Sequence, residues 1–198
     1  MPQEEVRQVC ALARDIGLAT FLDGARLWNA SAASGSPLDT LATPFDLVAV
    51  VFSKGLGAPG GSLLAGSKPL IDAAHRHRHR MGGAMRQNGI FAAAALYALD
   101  HHVERLVEDH DNARLLAERL CAGTDVQLDL ATVQTNIVVF HLASAFAMDA
   151  ATLTAQARAR GVLVNTFGLR TVRAVTHLDV TRVQCERAAA VLVELLSG

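Results

Sequence analysis

Lys54 stands where an apolar run gives way to a glycine-rich turn, in Val48-Ala49-Val50-Val51-Phe52-Ser53-Lys54-Gly55-Leu56-Gly57. The chain holds two lysines against sixteen arginines, so a primary amine is a scarce group here. Thirty-one residues earlier another apolar run ends on an acid, in Leu22-Asp23-Gly24-Ala25-Arg26. A lysine amine condenses with an aldehyde to form a Schiff base. A carboxylate facing a pyridine nitrogen keeps it protonated and makes the ring an electron sink. An amine and an acid, each at a strand tip, therefore point to a carbonyl cofactor held between them, pyridoxal phosphate above all. The spacing alone also permits a blander reading, with Asp23-Gly24 an ordinary turn and Lys54 a solvated cap.

Strands must carry these tips. Leu18 to Leu22 is a short apolar run ending at Asp23, and Phe45 to Phe52 is Val-rich without alternation, the pattern of a strand covered on both faces. Leu27 to Ala33 between them reads as a helix, which makes a parallel strand–helix–strand unit. In open parallel sheets ligands bind beyond the carboxyl ends of the strands, where both Asp23 and Lys54 fall. Ahead of this unit, Val6, Val9, Cys10, Ala13 and Ile16 recur at helical spacing, and Gly17 closes the helix. Ser62 to Gly66 reads as a short antiparallel return strand. Lys68 to Arg80, Gly89 to Asp100 and His102 to Leu120 read as helices. The pattern then changes: strands are expected over 126–130, 135–142 and 169–176, and helices over 150–160 and 181–196. The expected domains are 1–114 and 115–198, the boundary falling inside a long connecting helix and the tail forming a small α+β domain.

Bulk properties narrow the partners. The chain has 198 residues, of which 51% are hydrophobic, enough for a substantial core. The net charge of −1 provides no global field toward nucleic acid or anionic membrane. Three cysteines without metal-ligand spacing read as reduced thiols in a cytoplasmic protein. The amino end is polar, unlike a signal peptide, and no apolar run approaches the ~20 residues of a membrane span.

Five ordered segments resemble the low-specificity L-threonine aldolases, which are aspartate-aminotransferase-like (fold-type I) pyridoxal-phosphate enzymes. These are Leu22 to Ala30, Ser53 to Ser62, Met81 to Gln87, Glu108 to Ala113 and Val175 to Val180. The resemblance implies an α/β fold: part of a fold-type I large domain, then a small α+β carboxyl-terminal domain. It implies pyridoxal 5'-phosphate as cofactor, Lys54 as the Schiff-base lysine and Asp23 as partner of the pyridine nitrogen. Arg26 would sit near the phenolic oxygen of the ring and Arg86 near the phosphate. Arg173 would grip the substrate carboxylate, a task suited to a guanidinium fork. The implied reaction is retro-aldol cleavage of L-threonine or L-allo-threonine to glycine and acetaldehyde, in a homodimer or dimer of dimers.

The resemblance has departures. Family members extend further at the amino end, and no residue here matches their phosphate-cupping glycine loop or ring-stacking histidine. Phe21 replaces the histidine usual before Leu-Asp-Gly. The alternatives are a catalytically impaired remnant of the family and a related β-eliminating lyase. His75-Arg76-His77-Arg78-His79-Arg80 invites a metal reading, but the interleaved arginines oppose a cation, and no metal is expected. His101-His102 reads as a helix junction, His110 as packed or capping, and His177 as structural. Asp179 or Thr181 caps the last helix.

Overall fold

The computed structural model describes residues 1–197. The chain divides into two compact units, Met1–Glu104 and Arg105–Gly198. In the first, helix α1 (Gln3–Asp15) is followed by strand β1 (Phe21–Gly24), helices α2 (Leu27–Ser34) and α3 (Leu38–Ala42), and strands β2 (Leu47–Val51) and β3 (Ser62–Gly66). Helices α4 (Lys68–Arg80) and α5 (Gly89–His101) complete it. The second comprises helix α6 (Leu106–Gly123), strand β4 (Ile137–His141), helix α7 (Ala150–Ala159), strands β5 (Asn165–Gly168) and β6 (Thr171–Val175), and helix α8 (Arg182–Ser197).

The first sheet has the order β1-β2-β3. β1 runs parallel to β2 with Asp23 opposite Ala49, and β3 returns antiparallel with Leu64 opposite Ala49. One face is apolar: Leu27, Leu41 and Val48 are buried, with Leu22, Phe45 and Val50 packed on them. Alternation along β1 then places Asp23 on the opposite face from Leu22. Asp46 ties the entrances of the two parallel strands, its carboxylate accepting from Thr20 N at 2.7 Å and Thr20 Oγ1 at 2.9 Å. Gly17 ends the turn after α1 at φ +74°, a left-handed value that costs glycine little.

The second sheet is antiparallel in the order β4-β6-β5. Val138, Phe140 and Val172 are fully buried against Leu120 of α6, Leu153 of α7 and Leu192 of α8. Each such side chain contributes about 1.5–3 kcal/mol on leaving water. Thr181 caps α8 in a reciprocal box: Gln184 N donates to Thr181 Oγ1, and Thr181 N donates to Gln184 Oε1.

The α/β architecture and the parallel unit are as read from the sequence; several elements differ. α6 remains whole inside the second compact unit, so the units divide at 104/105, about ten residues before the sequence boundary. Val126 to Leu130 is not a strand. It makes one bridge, Gln127 to His141, and then Asp129 accepts from Ala131 N at 2.9 Å and winds Leu130–Thr132 into a 3-10 turn. α3 and β5 were not anticipated. α3 is a single short turn-and-a-half after Pro37, and β5 is exposed throughout, so neither carries a long apolar period.

Candidate functional site

β1 and β2 are parallel neighbours, so their carboxyl ends open on the same edge of the sheet. Asp23 is exposed at the first of these ends. Ala25 N donates to its Oδ1 at 3.2 Å, an Asx turn that sets the acid at the strand tip. Gly24 has to be glycine, because a Cβ there would meet Ala49 O at 2.6 Å. Arg26 follows at the amino end of α2 and is half-buried.

Lys54 lies three residues beyond β2 and is exposed, but its backbone is held on several sides. Phe52 N donates to Gly61 O at 3.1 Å, Gly57 N to Lys54 O at 2.9 Å, and Ala58 N to Phe52 O at 3.0 Å. The side-chain carbonyl of Asn29, a fully buried residue of α2, presses on Gly55. Leu56 is fully buried, and its carbonyl lies 2.7 Å from His102 Nδ1. Trp28 and Phe52 pack with ring centroids 6.1 Å apart. The backbone around Lys54 is thus held by these contacts.

Arg86 is exposed in the turn between α4 and α5, and no described contact joins it to Asp23 or Lys54. An apolar groove of about 1170 Å³ between β3, α4 and α5, walled by Phe52, Leu63, Ile71, Met81 and Phe91, includes neither Lys54 nor Asp23.

Arg173 belongs to the second unit. Val172 and Ala174 enter the core, so the alternation of β6 turns Arg173 to the opposite face, level with Val139 on β4 and Asn165 on β5. Its guanidinium carbon stands 5.2 Å from the centre of the Phe167 ring. Its Nε is buried with no hydrogen-bond partner among the described residues, so a carboxylate would satisfy it. Asn136, also buried, donates to Thr176 O at 2.8 Å and serves packing. His177 Nδ1 lies 3.3 Å from Asp179 Oδ1. Burial lowers the pKa of His110 below the usual imidazole value.

No local pattern in the sequence marks Asp109. It is fully buried at the start of α6, with Arg105 Nη1 at 3.8 Å from its Oδ1 and neither carboxylate oxygen hydrogen-bonded among the described residues. Burial raises its pKa, opposed in part by Arg105 and His177. Local pattern marks His102 only as a helix junction, because a bond across 46 positions leaves no trace in it.

The carboxylate of Asp23 and the amine of Lys54 are donor types that the ring portion of a pyridoxal would take, and they sit at and just beyond the carboxyl ends of the parallel neighbours β1 and β2. Residues 1–143 match the beta-eliminating lyase family, and the chain belongs to that family. Its relatives include the low specificity L-threonine aldolase of Escherichia coli O157:H7, 44% identical over 191 residues, 96% of this chain and 55% of that protein. Another is the low-specificity L-threonine aldolase 1 of Arabidopsis thaliana, 37% identical over 178 residues, 90% of this chain and 50% of that protein. The family resemblance carried by the Asp23 and Lys54 segments is thereby borne out, and the chain spans about half the length of these relatives. In fold, it matches a threonine aldolase from Leishmania major with a TM-score of 0.75 and 20% identity, over 98% of this chain and 56% of that one. A transaminase from ancestral reconstruction matches with a TM-score of 0.66 and 19% identity, over 99% of this chain and 47% of that one. No described helix is long and apolar enough to cross a membrane.

Proposed function

We propose that these residues form the lysine-and-acid part of a pyridoxal-phosphate-dependent carbon–carbon lyase that cleaves L-threonine and L-allo-threonine to glycine and acetaldehyde. The observation that supports the reading is that the strands leading to Asp23 and to Lys54 are parallel neighbours. Lys54 Nζ is the amine that would hold the cofactor covalently. The Asp23 carboxylate would keep a proton on the ring nitrogen. Arg26 and Arg86 would offer their guanidinium groups to the cofactor's oxygens, and Arg173, in the second unit, carries a fork suited to a substrate carboxylate. The cofactor, when bound, supplies the electron sink that stabilises charge at the substrate α-carbon. Assembly as a homo-oligomer belongs to the same proposal.

The test is direct. Pyridoxal phosphate added to the protein should give the yellow band of a lysine-bound pyridoxal, and Lys54→Ala should lack it. Identical spectra would exclude the tether. The family match also favours a second reading, β-elimination on the same scaffold. Release of pyruvate and ammonia, rather than acetaldehyde, would select it. A Lys54-dependent band without turnover of either kind would mark the chain as a catalytically impaired member.

A further inference from the structure

We propose that His102 is a positioning residue for Lys54, acting through the main-chain carbonyl of Leu56. This rests on the reading of Lys54 as the cofactor tether. His102 closes α5, its own backbone N donating to Ala98 O at 2.8 Å, so the ring starts from a fixed point. The Tyr97 ring meets it edge-on, with centroids 5.6 Å apart. Nδ1 then lies 2.7 Å from Leu56 O. A carbonyl can only accept, so Nδ1 carries the hydrogen and donates.

Leu56 is two residues past Lys54, with its side chain fully buried. The bonds from Gly57 N, Ala58 N and Phe52 N all close within the segment 52–61 and shape the loop without fastening it elsewhere. The imidazole fastens it to α5, while Asn29 blocks Gly55 from the side of α2. The two residues that follow Lys54 are thus contacted from α2 and from α5. Reactivity falls steeply when a tethering group is misplaced by ~1 Å, which gives such an anchor its value.

Three measurements test this. Nitrogen NMR of the wild-type protein without cofactor should show His102 protonated at Nδ1; a proton on Nε2 alone would overturn the proposal without any variant. In the same cofactor-free protein, His102→Ala should speed hydrogen exchange at the Gly57 and Ala58 amides by about fivefold, the effect of losing one ordinary hydrogen bond. It should also raise the pyridoxal phosphate concentration that half-develops the Lys54-dependent band. His102→Asn, whose amide nitrogen stands near the place of Nδ1, should restore both. Unchanged exchange in His102→Ala, or no restoration by His102→Asn, would overturn the proposal. If the wild-type protein gives no band that Lys54→Ala abolishes, the tether reading fails, and the exchange and NMR results still decide whether His102 holds the loop.

Discussion

The side-chain carbonyl of Asn29 occupies the space that a Cβ on residue 55 would need. The helix after the acid-bearing strand thus braces the loop that carries the amine. Gly55→Ala should destabilise the protein by about 1–3 kcal/mol, the usual cost of overpacking, seen as a lower urea midpoint. Asn29→Ala combined with Gly55→Ala should lose less than the two single changes added, because the shared space is then vacated. Simple additivity in that cycle would show that the two residues do not press on each other.

Asp23→Asn separates charge from architecture. Asparagine can still accept from Ala25 N, so the turn and the melting temperature should stay close to wild type. The charge facing the ring nitrogen is gone, and turnover under the proposed function should fall by on the order of a hundredfold or more. Full activity in a well-folded Asp23→Asn protein would remove the acid from the mechanism.

Acid should loosen the first sheet through Asp46. Its two bonds from Thr20 hold its pKa below the ordinary aspartate value. A depressed folded pKa stabilises above the unfolded value of about 3.9 and is lost as pH falls through the folded pKa. Urea midpoints followed downward from pH 6 should drop less steeply in Asp46→Asn than in wild type.

Asp109 should act with the opposite sign. Burial raises its pKa, so the folded state holds the proton more tightly than the unfolded chain does. Its contribution is greatest below the unfolded value of about 3.9 and is lost as pH rises through the raised folded pKa. Asp109→Asn should flatten that decline in a plot of urea midpoint against pH; an unaltered slope would contradict the assignment.

Arg173→Lys keeps the charge and loses the fork. Under the proposed function KM for the amino acid should rise by about ten- to a hundredfold, with kcat changed less. Binding of pyridoxal phosphate, read from the Lys54-dependent band, should be unaffected. Equal losses in both would point to a broken sheet instead.

Much of this was legible in sequence where local chemistry repeats. The Val-rich run before Lys54, the helix from Lys68 to Arg80 and the return strand from Ser62 to Gly66 are found where periodicity and turn residues put them. Short or polar pieces were not legible. β5 has every residue exposed, and Val126 to Leu130, apolar enough for a strand, is diverted by the Asp129 cap. Arg173 could be named from its segment, but its stacking on Phe167 comes from the β5–β6 pairing, which no single segment encodes.

By itself the order of residues determined the chemical inventory: one amine and one acid, each closing an apolar run, and the family to which those runs belong. Backbone preference and hydrophobic burial act over a few neighbours, so they can be read along the chain. Tertiary structure alone decided that Asp23 stands opposite Ala49 and that His102 and Asn29 meet the loop after β2. Those contacts join residues tens of positions apart, and their energy exists only once the chain has closed the distance.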